Sequence, residues 1–278
     1  GVLNIEPAQK AIREVFLRRI VKAKGLSKTD SLLSGILMPT PSSVMRAMEL
    51  LSCGCQEEAG IGDLLAVDVG GATTDVYSVS EGAPTQVNTV CKGLPEPFVK
   101  RTVEGDIGMR YSVRGILDAA GPGKLSRISG LPVPRVTQLV QFLREHTDTL
   151  PGGNPELEAL DRALASCAIE TAVTRHAGTI EEAYTLMGLT YVQTGKDLTQ
   201  TQNLVVTGGS LIHTQQTSKI ASYALYDPAQ PTSLRPKKAQ VLVDRQYILS
   251  AMGLLAASHP ACALRIMKKE IKVDGDPK

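Results

Sequence analysis

Tryptophan is absent from this 278-residue sequence, and phenylalanine and tyrosine alone supply its aromatic share of 4%. The core must therefore be aliphatic, and an aromatic stacking platform for single-stranded nucleic acid is not expected. An excess of one charge is also missing: 30 Lys and Arg face 28 Asp and Glu, and no run of five like charges occurs. Neither nucleic acid nor a membrane surface is an expected partner. No stretch approaches the ~18 apolar residues of a membrane span, and no basic-then-apolar leader is read, so a cytoplasmic protein is expected. Cys53, Cys55, Cys91, Cys167 and Cys262 are odd in number and scattered, which fits reduced thiols better than a disulfide framework. Cys53-Gly54-Cys55 lacks the two-residue gap of a zinc knuckle and reads as small residues ending a helix, and the four histidines never share a short window.

What is present is enough to fold. A hydrophobic share of 42% and a charged share of 21% suit a globular protein of one large domain or two ordinary ones. Pro7 opens an apolar-periodic stretch expected as a helix to Gly25, and Ser31 to Met38 is a short apolar run of undecided type. Pro39-Thr40-Pro41 is expected to interrupt helix, with Ser42 and Ser43 offering cap oxygens to a following one. Leu64 to Val67 and Val76 to Val79 read as strands around Asp68-Val69-Gly70-Gly71-Ala72-Thr73-Thr74-Asp75, and Gln86 to Val90 as a third strand. Lys100 to Asp118 reads as a loop-rich, partly helical insertion. Val136 to Glu145 and Glu156 to Gly178 read as helices, the second continuing over Glu181 to Leu189. Asn203 to Thr207 is a buried strand ending at Gly208-Gly209-Ser210, and Ala239 to Val243 is another. Asp244 is expected to cap a helix over Tyr247 to Ala257 that is apolar all round and buried, and Pro260 to start a last one. Strands followed by long helical blocks argue for an α/β arrangement, with both glycine pairs at strand ends, where open sheets place ligands.

The hairpin can do chemistry. Glycines admit a close approach of backbone N–H groups to a polyphosphate and the positive φ values that turn amides inward, so Gly70 and Gly71 are phosphate candidates. Thr73 and Thr74 add hydroxyls, while Asp68 and Asp75 offer oxygens to magnesium or to a polarised water. A plain type I′ turn with ordinary Asp and Thr is the competing reading. Gly208, Gly209 and Ser210 follow a strand without an acid, which suits an adenine or ribose lying on backbone. The segment from Arg101 to Arg110 could bring a carboxylate such as Glu104, or a guanidinium, to a terminal phosphate; internal ion pairs of a solvated loop are the alternative. Arg175-His176 reads as cations favouring a helix C-terminus. Walker A fails, because Gly123-Lys124 and Gly195-Lys196 have Asp118 and Thr190 where the first glycine belongs.

Leu65-Ala-Val-Asp-Val-Gly-Gly-Ala-Thr-Thr-Asp-Val76 resembles the second phosphate motif of the actin, heat-shock chaperone and sugar-kinase superfamily of ATPases, and Val205 to Ser210 its adenosine motif. More narrowly, that hairpin, the Lys100 to Tyr111 block and Asp244 to Leu254 are similar to the glutamate mutase L family, which is distinct from the mismatch-repair protein sharing its short name. The resemblance implies an actin-like (ribonuclease H-like) α/β fold of two lobes, with ATP or ADP and Mg2+ between them. It also implies a role as a reactivating accessory ATPase, or chaperone, for subunits of an adenosylcobalamin-dependent glutamate mutase or aminomutase. Asp68 would address the metal, Gly70, Gly71, Thr73 and Thr74 the phosphates, and Gly208 and Gly209 the adenosine. The helices after Ser42 and from Tyr247 would be the crossing helices between lobes. The superfamily's earlier Asp-x-Gly-Ser/Thr hairpin is not found before Ser42. Either the C-terminal portion of a longer protein, the preferred reading, or an ATPase relative that has lost activity is therefore expected, with 1–62 as a remnant of the first lobe, 63–243 as the second lobe, and 244–278 as helices returning to the first. Weak nucleotide binding and little hydrolysis follow as expectations. Two other functions remain open: an ATP-dependent hydantoinase- or oxoprolinase-like enzyme or small-molecule kinase, and an actin-like nucleotide-binding scaffold.

Overall fold

The computed structural model describes residues 7–8, 11–12, 14–15, 39–186 and 188–275. Most of the helix expected after Pro7, and the run Ser31 to Met38, lie outside the described residues. The chain enters through α1 (Thr40–Cys53). This helix starts earlier than expected, because Pro41 falls in the first turn, where a missing N–H breaks no bond. Neither serine caps it; Ser43 instead donates its hydroxyl to the Ser250 carbonyl.

After a two-residue hairpin (Gly54–Cys55 with Glu58–Ala59) come β1 (Leu64–Val69), β2 (Thr74–Val79), β3 (Thr89–Lys92) and β4 (Val99–Glu104). Four helices follow: α2 (Val113–Ala120), α3 (Pro122–Ser129), α4 (Val133–Glu145) and α5 (Pro155–His176). Then come β5 (Thr179–Thr185), β6 (Gly188–Thr194) and β7 (Asn203–Thr207), and the short helices α6 (Gly209–Ile212) and α7 (Thr217–Ala221). The last elements are β8 (Gln240–Val243), α8 (Leu249–Leu255), α9 (Pro260–Glu270) and β9 (Lys272–Val273).

The main sheet has six strands in the order β9-β8-β7-β1-β2-β4. β8, β7 and β1 run parallel, whereas β2, β4 and β9 join antiparallel, so the sheet is mixed. Successive residues of β1 are buried because both faces are covered, which is why its sequence reads as a continuous apolar run. Leu65, Val67, Val69 and Val76 face the α2 to α5 layer, and Leu64, Ala66, Tyr77, Val79 and Val205 face α1, α8 and α9. The flanking pieces 39–62 and 244–275, expected to belong to another lobe, thus build the second helical layer of this sheet and add β9 to its edge. α1 and α8 do cross. A Cβ on Gly253 of α8 would lie 1.8 Å from the Ser43 carbonyl oxygen of α1, so glycine is what permits the approach.

Three expectations need correction. β4 replaces an expected loop; its charges hid the alternation, and they are tolerated because it is an edge strand. Residues 181–189 do not continue α5 but form the β5–β6 hairpin, which with β3 makes a separate three-stranded sheet. α5 ends because Ala177 turns extended and Gly178 packs where a Cβ would lie 2.6 Å from the Lys196 carbonyl oxygen. Finally, α8 is shorter than Tyr247 to Ala257 and not buried all round: within it only Leu249 and Gly253 are buried, and Leu254 is 44% exposed.

Candidate functional site

The carboxyl ends of the three parallel strands converge at one edge of the sheet. Asp68 pairs in register with Thr207 of β7 on one side and with Asp75 of β2 on the other. Asp244 follows β8 directly, and its amide donates to the Val206 carbonyl. In an open α/β sheet this edge is where ligands bind.

The hairpin at this edge is held by backbone contacts. The Gly70 amide donates to the Thr73 carbonyl at 2.9 Å, and a Cβ on Gly70 would meet that same oxygen at 2.9 Å. Neither Gly70 nor Gly71 has positive φ, contrary to expectation; close approach is what residue 70 requires. The carbonyls of Gly70 and Gly71 accept from the amides of Met109, Arg110 and Tyr111 at 2.8–3.0 Å. The loop between β4 and α2 therefore clamps the turn, and it comes so near that a Cβ on Gly108 would lie 2.3 Å from the Ala72 backbone. The amides of Gly71, Ala72 and Thr73 have no acceptor among the described residues. Gly71 and Ala72 are exposed.

The candidate side chains separate into free and committed. Asp68 has no hydrogen-bond or ion-pair partner among the described residues. Burial, then the charges of Asp75 and Asp244, push its carboxyl up from 3.8 to about 6. Asp75 is committed: its Oδ1 accepts from Arg101 Nε at 2.8 Å and lies 2.6 Å from Arg101 Nη2. Thr73 donates to Asp75 Oδ2 at 3.3 Å, while the fully buried Thr74 donates to the Ile107 carbonyl at 3.0 Å and so braces the clamp loop. Glu104 lies across β2 from Val69, about 10 Å away at the usual strand spacing. Its Oε2 is 2.6 Å from Arg175, which also grips Asp106 at 2.8 Å. The ion-pair reading of that segment therefore describes Glu104. His176 is not the cation expected at the helix end. Its ring sits 2.8 Å from both Thr102 Oγ1 and Ser78 Oγ, and burial, with Lys100 and Lys196 nearby, holds it neutral with a pKa of about 3.

Gly208, with φ of 108°, packs on β1: a Cβ there would be 2.3 Å from the Val69 carbonyl oxygen. Gly209 is exposed and Ser210 half-buried in the first turn of α6. Two neighbours were not expected here. Asp244 accepts from the amides of Ile248 and Leu249 at 3.1 and 3.2 Å, so its capping role is as read, but it also adds negative charge beside Asp68. Tyr247, at φ of 54°, brings its hydroxyl 3.8 Å from the Cβ position of Gly209. The one signal for it in the sequence is a lone aromatic just after the Asp244 cap.

Among the described residues no group of three or more His, Cys, Asp and Glu is arranged to hold a metal ion unaided. Magnesium commonly takes one or two carboxylates and completes its shell with phosphate oxygens and water. Asp68, the unpartnered carboxylate beside open amides, fits that use. Among the described residues no helix is long and apolar enough to cross a membrane.

Fold and site together define a three-layer α/β protein whose sheet edge presents a glycine hairpin, an unpaired carboxylate and a second glycine turn. A profile of the family described as MutL protein matches residues 1–271, and the chain belongs to this glutamate mutase L family. The chain is also similar to the curated Protein MutL of Clostridium tetanomorphum, at 45% identity over 269 residues. That match covers 97% of this chain and 58% of the relative, so the chain spans little more than half the relative's length.

Proposed function

We propose that this chain carries the nucleotide-binding lobe, of actin-like fold, of an ATP-dependent accessory protein that reactivates an adenosylcobalamin-dependent glutamate mutase or aminomutase. The observation that supports it best is Asp68: a carboxylate without a partner, at converging strand ends, beside a turn with three open amides. In this reading the amides of Gly71, Ala72 and Thr73 hold phosphate oxygens. Asp68 orients magnesium or its water; the ion, when bound, neutralises phosphate charge. Gly209, with Gly208 keeping the turn tight on β1, offers a flat surface to the nucleoside, and Tyr247 stands beside it. Asp75 and Thr74 position the hairpin through Arg101 and Ile107. Glu104 anchors Arg175.

Calorimetric titration with ADP and magnesium tests the site. Single-site binding is expected, weakened at least about tenfold by Asp68→Asn, with the difference vanishing in chelator. Equal affinity of both proteins with magnesium present removes Asp68 from the role. Binding should also weaken as pH falls through about 6, where Asp68 takes up a proton. The partner half of the reading is tested with glutamate mutase inactivated by loss of its cofactor's adenosyl group. ATP-dependent recovery on adding the full-length protein is expected, and its absence refutes that half.

A further inference from the structure

The outer half of the β5–β6 hairpin is a finger that the rest of the fold leaves uncovered. β3 pairs only with Tyr191 to Thr194 of β6, so the pairs nearer the turn stand alone as a two-stranded ribbon. Tyr184 faces Leu189 across that ribbon, and Glu182 facing Tyr191 is the next pair on the same side, because residues two apart along a strand share a face. Tyr184 is 83% exposed, Leu186 in the turn is fully exposed, and Leu189 is exposed as well. Glu182 is exposed and has no hydrogen-bond or ion-pair partner among the described residues. Large apolar side chains held together in water are costly, and such a cluster is what a contact surface offers.

Elsewhere on the chain, a cavity of about 440 Å3 opens between α1, the end of α9 and the strands β8 and β9. Its floor is apolar: Ile61, Leu242 and Val273 are half-buried and keep surface open to an occupant, alongside the buried Leu51 and Ile271. Its rim is cationic, with Lys268, Lys269 and Lys272 lining it. Lys268 donates to Glu58 at 2.7 Å, and Lys269 comes only to 3.9 Å from its neighbour Glu270. Lys272 is exposed with no carboxylate partner among the described residues. Three ammonium groups against two carboxylates leave the rim with net positive charge. The volume is that of pockets that bury a drug-sized group, which the tip of a hairpin matches.

Finger and cavity are complementary: an apolar tip suits an apolar floor, and an unpaired carboxylate two residues, about 7 Å, behind the tip suits a rim with an uncommitted ammonium. They lie on different parts of the fold. The cavity is against β8 and β9, whereas the finger is rooted beside β2 and β4, on the other side of β7 and β1. There Lys196, just past β6, donates to the Phe98 carbonyl at 2.8 Å, and the Asp197 amide to the Gly82 carbonyl at 3.0 Å. We propose that the β5–β6 finger of one copy of this chain inserts into the lysine-rimmed cavity of a second copy, with Tyr184, Leu186 and Leu189 on the apolar floor and Glu182 at the rim beside Lys272. Because the two surfaces differ, each contact leaves a free finger on one copy and a free cavity on the other. The assembly is therefore head-to-tail, and it closes into a ring or runs on as a chain. The contact uses neither Asp68 nor the glycine turns, so it does not depend on the nucleotide reading.

The test is sedimentation velocity of the intact chain at about 1–100 μM, in low and in high salt. The average mass is expected to rise with concentration, and less so in high salt, which screens the rim. Tyr184→Ser with Leu186→Ser strips the tip, and Lys269→Glu with Lys272→Glu reverses the rim; all four positions are exposed, so each protein should keep its circular dichroism spectrum while its self-association weakens at least about tenfold. Mixed together, the two should form dimers and nothing larger, because one supplies an intact cavity and the other an intact finger. Adding Glu182→Lys to the reversed rim should restore self-association. A wild-type chain still monomeric at about 100 μM, association undiminished in either variant, or a mixture that yields no dimer or yields longer species overturns the proposal.

Discussion

Replacing Asp68 with asparagine should make this protein more stable, and the gain should depend on pH in a stated direction. The carboxyl is raised from 3.8 to about 6 by burial and by Asp75 and Asp244, so the folded state binds its proton more tightly than the unfolded state does. The ionised form therefore costs stability. That cost is complete above about pH 6, shrinks as pH falls from 6 toward 3.8, and is gone below it. A pKa raised from 3.8 to about 6 corresponds to about 3 kcal/mol. That figure is an upper bound, because Asp68 keeps some contact with water, so a gain of about 1–3 kcal/mol is expected near neutral pH. The isosteric amide removes the charge and breaks no protein hydrogen bond, since Asp68 has none among the described residues. Urea unfolding followed by circular dichroism, which needs no tryptophan, compares the two proteins at about pH 8 and about pH 4.5. The asparagine variant should have the higher midpoint at the first pH and keep only about a third of that advantage at the second. A variant less stable at pH 8, or a difference that ignores pH, refutes the claim that this carboxylate is held ionised without compensation.

Three further outcomes follow from packing and charge. Gly253→Ala drives a Cβ to 1.8 Å from a backbone oxygen of α1; parting α1 and α8 should cost about 3 kcal/mol in denaturant unfolding, and a neutral result would mean the helices do not cross there. Gly108→Ala, aimed at the Ala72 backbone 2.3 Å away, should loosen the clamp on the hairpin and weaken ADP binding about tenfold, whereas unchanged affinity in calorimetry would detach the loop from the site. Lys196 is fully buried with no carboxylate in ion-pair contact among the described residues, and burial, then Lys100, lowers its ammonium from 10.5 to about 8. Its protonated form costs stability below pH 8, a cost lost as pH rises toward 10.5. Lys196→Met should thus be stabilising by about 1–2 kcal/mol at pH 7, after its hydrogen bonds to Phe98 and Ser78 are forgone, and less so at pH 10. A thermal melt showing the opposite trend with pH would reverse the sign argued here.

Legibility varied along the chain for physical reasons. β1 and β7 are buried on both faces and read as unbroken apolar runs, and α5 announces itself through Asn154, whose side chain caps the amides of Glu156 and Leu157, followed by Pro155. β4 was hidden because an edge strand can carry Lys100, Arg101 and Glu104 without burying a charge alone. The β5–β6 hairpin was hidden because Glu181, Glu182 and Leu189 fit a helix as well, and only pairing with β3 and with each other selects strand. At the site, the glycine hairpin and Asp68 were legible as a local pattern. Which acid stays free was not, since Asp75 meets Arg101 and Glu104 meets Arg175 only after the strands and α5 are laid side by side.

The local order of residues alone determined the α/β class, the strand-turn-strand unit around Gly70 and Gly71, the second glycine turn, and the long helix between them, because each depends on neighbours within a few residues. Membership of the family is written in the same local blocks. Tertiary structure alone decided that the ends of β1, β7 and β8 meet, that Asp68 lies near Asp244 and Tyr247, and that α1, α8 and α9 close the second face of the sheet. It also set the charge state of the site: the Asp68 carboxyl is pushed to about 6 by burial and by two acids, one from the facing strand and one from far along the chain. The field that sets its proton affinity is a sum over space, and no reading along the chain contains it.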